Sequence, residues 1–305
     1  MLDFSKNNGI FKSSLNLSGS DGRTVTLELD EGGTSLLRSR LSRSFYKVTD
    51  INRLLSAVEG ASDVSEIEKI AEKYYLCDLC DLTDLNLYGA IKIFKVIIFA
   101  LYRYPMLRSQ LCFIGSFEKY TEYIKSLCEG DEKTLKRFGL QYLCNTDTAG
   151  KLGELIRDDI EKNDYKGTNT VATAYSAFGL FDAVLINNGS FEGYDYIKTT
   201  NNVRYSERIG FHPKGCDVIE SVIFHEVGHM LDYTCQVTKG ELFSSFYEGI
   251  SDEEVKEGLS EYALCSAEEF FAEAVAEFYC SSSPRKIAAE TVKILDEMYK
   301  RRSKI

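Results

Sequence analysis

Between Met1 and about Lys47, apolar and polar positions alternate weakly. Val25, Leu27 and Leu29 are interleaved with Thr24, Thr26, Glu28 and Asp30 behind the turn signal Ser20-Asp21-Gly22. Ile10 to Leu17 can pair with that segment as a small hairpin. Ser35 to Ser44, with arginines among serines and leucines, reads as a solvated stretch. Near Asp50 the period becomes helical. Ile51, Leu54, Leu55 and Val58 share a face up to Gly60, and Val64, Ile67, Ile70 and Ala71 do so after a helix start at Ser62. Asp84 opens a long apolar helix through Ile91, Ile93, Phe94 and Ile97 to about Tyr102, which Pro105 ends. Gln110 to Phe117 predicts a buried strand, and Glu118 to Leu127 another helix.

Further along, Leu140 to Cys144 reads as a strand and Gly150 to Ile160 as a helix that stops in the polar run Glu161 to Gly167. Thr168 to Tyr175 and Leu180 to Asn187 are rich in β-branched and aromatic residues and predict two strands. Gly189 to Gly215 is polar and predicts a long loop, a kind of segment that often carries function. His212 lies in it, within G-F-H-P, and reads as an ordinary loop histidine rather than a residue of a cleft rim. Helices are expected again over Ser221 to Asp232 and Ser266 to Cys280. The pattern is that of an α+β fold with a small mixed sheet. It divides at residue 62 into an N-terminal segment of partly β character (1–62) and a larger domain (63–305) whose first part is helical.

Composition narrows the class of protein. With 44% hydrophobic and 27% charged residues, a chain of 305 residues can bury a sizeable core. The net charge of −11 argues against nucleic acid as the main partner. Nine cysteines at scattered spacings resemble no disulfide scaffold and imply mostly reduced, buried thiols; Cys77 and Cys80 form a C-x-x-C with no second pair at zinc-ribbon spacing. The N-terminus lacks the basic and apolar regions of a signal peptide, and the longest apolar run, Ile91 to Tyr102, is too short and too charged to span a membrane. The expectation is a cytoplasmic protein with no membrane partner.

Chemistry concentrates in S-V-I-F-H-E-V-G-H-M-L-D, Ser221 to Asp232. On a helix His225 and His229 lie one turn apart on one face, so both imidazoles can hold one ion. Glu226 sits at the edge of that face, within reach of a proton on a bound water. Two ligands and a general base are the geometry of a zinc peptidase. Ile219, Ile223, Val227 and Met230 form the opposite, core-facing side, and Gly228 lets another backbone or a substrate come close.

A catalytic zinc site takes three protein ligands, and no histidine follows His229. The third must be a carboxylate or a cysteine. In S-A-E-E-F-F-A-E-A-V-A-E-F-Y-C, Glu269, Glu273 and Glu277 recur every fourth residue, with Ala272 and Ala276 beside them so that a second helix can approach. One glutamate can bind the ion, and another can accept the outer N–H of a ligand histidine. Like charges at this spacing destabilise a helix unless a cation compensates. Against this, Ser266-x-x-Glu269 is also a capping box, and the whole stripe can be a solvated face.

These residues resemble the zincin domain of the anthrax lethal factor family, whose relatives include Pro-Pro endopeptidases and many proteins encoded by phages and mobile elements. The resemblance is carried by Cys216 to Cys280, notably H-E-V-G-H-M-L-D and E-Y-A-L-C-S-A-E-E-F-F-A-E-A. It implies a zincin-like metallopeptidase domain and a Zn²⁺ ion held by His225, His229 and Glu269. Glu226 would be the general base and Glu273 would brace a ligand histidine. Tyr262, seven residues before Glu269, would steady the oxyanion of a cleaved peptide bond. The substrate would be a protein or peptide. The rival class is a phage or mobile-element assembly protein that keeps the zinc for stability, which would need neither Glu226 nor Tyr262.

Overall fold

The computed structural model of the chain describes residues 50–133, 171–176, 182–187 and 193–303 as continuous runs, five short strands between residues 2 and 29, and isolated positions at 150, 153–154, 156–158 and 189. The N-terminal strands are β1 (Leu2–Asp3), β2 (Lys6–Asn7), β3 (Ile10–Phe11), β4 (Ser13–Ser18) and β5 (Thr24–Leu29). β4 and β5 form the expected hairpin, running antiparallel from Ser13↔Leu29 to Ser18↔Thr24. The stretches Ser35–Ser44 and Leu140–Cys144 lie outside the described residues.

Two short helices follow, α1 (Ile51–Glu59) and α2 (Val64–Lys73). Asp63, one residue later than expected, caps α2 by accepting from the Glu66 N–H, while the Glu66 carboxylate accepts from Ser62 N–H. The residue-62 division runs between these helices, and Leu54, Val58, Ile67 and Ala71 feed one continuous core. The apolar helix α3 (Leu87–Arg103) starts at an Asn86 cap rather than at Asp84 and stops before Pro105. It is buried on several sides: Ile93, Phe94, Val96, Ile97, Ile98 and Leu101 all lie in the core.

A four-stranded mixed sheet backs this layer in the order β6 (Leu79–Asp81), β7 (Phe113–Ser116), β9 (Ala183–Ile186), β8 (Ala172–Tyr175). β6, β7 and β9 run parallel, and β8 is antiparallel at the edge. β6 was not expected, because three residues give no period to read. α4 (Phe117–Cys128) follows β7 directly.

The expected loop over Gly189–Gly215 is instead occupied mostly by α5 (Gly193–Arg208). Its sequence is polar, with Thr199 and Val203 buried among its described side chains, so no apolar stripe announces it. The C-terminal half is helical throughout: α6 (Ile219–Cys235), α7 (Glu241–Tyr247), α8 (Asp252–Gly258), a 3₁₀ turn (Tyr262–Leu264), α9 (Ala267–Cys280) and α10 (Lys286–Arg302). The protein is thus α+β, mostly helical, with one small mixed four-stranded sheet. No helix among the described residues is long and apolar enough to cross a membrane.

Candidate metal centre

α6 and α9 cross at their smallest residues. A Cβ on Gly228 would lie 2.8 Å from Ala272 Cα and 3.4 Å from Val275 Cβ, so only glycine permits this approach. Ile219, Ile223, Val227 and Met230 hold α6 in the core from the other side. Asp232 ties its last turn by accepting from the Thr238 N–H and Oγ1–H at 2.8 and 2.7 Å. The crossing brings His225, His229 and Glu269 together, the metal-capable cluster found among the described residues.

The three facing atoms form a small triangle. His225 Nε2 lies 3.1 Å from His229 Nε2 and 3.0 Å from Glu269 Oε2, and His229 Nε2 lies 3.5 Å from that oxygen. A tetrahedral zinc with ligands near 2.05 Å sets ligand–ligand edges at about 3.3 Å, so the triangle has the right size. The chemistry fits as well. Glu269 Oε2 is buried and has no aligned hydrogen bond despite its two imidazole neighbours. His225 donates its Nδ1–H to Glu273 Oε1 at 2.8 Å, which in the neutral ring leaves a lone pair on Nε2 facing the triangle.

The acidic stripe is not a solvated face. Each glutamate meets partners inside the fold, histidines for Glu269 and Glu273 and an arginine for Glu277. The capping box is half-formed: Ser266 Oγ accepts from Glu269 N–H at 3.2 Å, but the Glu269 carboxylate turns to the histidines instead of back to Ser266. Glu273 is 1% exposed and accepts from His225, His212 and the Ser260 hydroxyl. Burial alone would raise its pKa, but the hydrogen bonds from His212 and His225 and their nearby charge outweigh it and hold the carboxyl at about 2. Glu277, fully buried, is clamped by Arg285 through Nε at 2.9 Å and Nη2 at 2.7 Å. The same guanidinium donates to the carbonyls of Glu257 and Leu259, anchoring the segment that leads to Ser260 and Tyr262.

Glu226 is buried beside the triangle and accepts the Ala174 N–H through Oε2 at 2.6 Å. Burial raises its pKa first and foremost, with the two histidines and the Ala174 N–H opposing, so the carboxylate is a stronger base than an exposed one. Ala174 belongs to edge strand β8, whereas β9, the last strand before α6, is paired on both sides. Asn187 N–H donates to Val171 O, so in antiparallel alternation residues 171, 173 and 175 bond to β9. Ala172 and Ala174 therefore turn their backbone groups outward.

Tyr262 stands on the 3₁₀ turn with its ring 5.9 Å from the His225 ring and 5.5 Å from that of His212. Burial and the surrounding carboxylates, Glu269 foremost among them, push its pKa up, so the phenol keeps its proton and remains a donor. His212 is not an ordinary loop histidine. Its Nδ1 lies 3.2 Å from both Glu273 oxygens, a contact across 61 residues that no local spacing announces.

Elsewhere the Cys80 thiol is pushed well up by burial and by its hydrogen bond with Cys77, the reverse of an activated thiol. The seven cysteines whose side chains are described are free of disulfides. Compared with protein-family models, curated proteins and solved structures, the chain matches none.

Proposed function

We propose that the chain is a zinc-dependent endopeptidase of the lethal factor-like zincin kind, acting on a protein or peptide. The observation that carries this reading is the convergence of His225 Nε2, His229 Nε2 and Glu269 Oε2 in a triangle of zinc-site dimensions, with a buried carboxylate at the next position in sequence. A zinc ion held by these three groups would polarise the scissile carbonyl and lower the pKa of a water. Glu226, made more basic by burial and oriented by the Ala174 N–H, takes a proton from the attacking water and returns it to the leaving amine. Tyr262, keeping its proton, donates a hydrogen bond to the carbonyl oxygen as that atom gains charge. Glu273 fixes the tautomer and plane of His225. The outward backbone groups of Ala172 and the carbonyl of Ala174, whose N–H is held by Glu226, offer an extended peptide a place to align beside the site.

The test is cleavage of an unbiased peptide library by the full chain loaded with one equivalent of zinc, read by mass spectrometry. Cleavage that stops in Glu226→Gln, with zinc still bound, supports the assignment. Stoichiometric zinc with no bond cut in any peptide favours the assembly-protein alternative.

A further inference from the structure

The third histidine of the chain is left over by this mechanism. His212 lies on a short segment fixed at both ends. Gly210 and Gly215 take positive φ values of 78° and 81°, and a Cβ at Gly215 would meet Ser281 at 2.9 Å. The segment is hydrogen-bonded to the turn that bears Tyr262: Glu261 N–H donates to Gly210 O at 3.0 Å and Tyr262 N–H to Phe211 O at 3.1 Å. The His212 ring packs edge-on to the Tyr262 ring. Its Nδ1 reaches both oxygens of Glu273, whose Oε1 also receives the His225 Nδ1–H and whose Oε2 receives the Ser260 hydroxyl.

We propose that His212 is a positioning residue of the metal centre, fixing the Glu273 carboxylate and, through it, the ring plane of His225. A carboxylate held only by His225 could rotate about its last torsion and carry that hydrogen bond off line. Three donors from three segments, α6, the 210–215 segment and Ser260, leave Glu273 a single orientation. An ionised carboxylate can only accept, so His212 must carry its proton on Nδ1. With the carboxylate fixed and the His225 Nδ1–H bound to it, His225 Nε2 stays turned to the triangle for an ion. The inference rests on the zinc reading proposed above.

Two substitutions separate this role from plain packing. His212→Phe keeps a ring against Tyr262 and Phe211 but removes the bond to Glu273. His212→Asn places an amide N–H where Nδ1 stood. Zinc affinity is measured on the full chain by competition with a chromophoric chelator, alongside melting of the zinc-free proteins. The expected result is roughly 10–100-fold weaker zinc binding in His212→Phe, the usual effect of losing such a partner, with most of it restored in His212→Asn. Imidazole ¹⁵N spectra of the zinc-loaded wild type provide a measurement independent of any variant, since the chain has three histidines. They should show His212 protonated on Nδ1. A bare Nδ1, or wild-type affinity in a folded His212→Phe, overturns the proposal alone. A wild type that binds no zinc overturns the zinc reading with it.

Discussion

Gly228→Ala is the substitution that most directly loads the helix crossing on which the centre depends. The added Cβ would sit 2.8 Å from Ala272 Cα and 3.3 Å from Ala272 Cβ. Carbon atoms pack at about 3.5 Å or more, so α6 and α9 must separate or slide by roughly 0.7 Å. Gly228 adjoins His229, and Ala272 is three residues from Glu269, so the displacement falls on two corners of the triangle. Metal sites tolerate about 0.2 Å in ligand distance, which makes the shift several times too large. The fold itself should lose less. Overpacking costs about 1–3 kcal/mol, and replacing a mid-helix glycine by alanine returns about 1 kcal/mol. A net loss of about 0–2 kcal/mol lowers the melting temperature by up to roughly 3 °C in a chain this long. Zinc affinity, read by chelator competition, should fall by about tenfold or more, since 1.4 kcal/mol is already a factor of ten. Ala272→Gly should not rescue it, because the nearest atom is a backbone carbon. Wild-type affinity in Gly228→Ala, or full rescue by Ala272→Gly, would refute the reasoning.

Two further outcomes follow from the site. Tyr262→Phe should keep its zinc while losing about 10²–10³ in kcat on any cleavable peptide, as loss of one oxyanion donor does; a variant that loses its metal instead would make Tyr262 a ligand or a structural residue. Glu269→Gln should be nearly metal-free at micromolar zinc, whereas Glu273→Gln should bind about 10–100-fold more weakly than wild type but still measurably; zinc titration of both decides, and the reverse order would move the ligand to Glu273.

What the sequence made legible is short-range. The spacing of His225, Glu226 and His229 and the fourfold recurrence of Glu269, Glu273 and Glu277 are properties of one helix each, and both helices formed where the periodicity put them. The small residues at the crossing, Gly228 and Ala272, were also readable because close approach demands them. The partners that finish the site come from far along the chain. Ala174 reaches Glu226 across 52 residues and His212 reaches Glu273 across 61, distances at which no local pattern survives. α5 was hidden for a different reason: a helix that buries little shows no stripe, and its polar composition reads as a loop. Arg285 likewise reaches the Glu257 and Leu259 carbonyls from 28 and 26 residues away, beyond any local pattern.

Whether His225, His229 and Glu269 hold one zinc ion per chain is read by native mass spectrometry of the full chain with a slight excess of zinc. One zinc per chain is expected in the wild type and none in folded His225→Ala. Zinc retained at the same stoichiometry in His225→Ala, or no zinc on the wild type, would contradict the assignment.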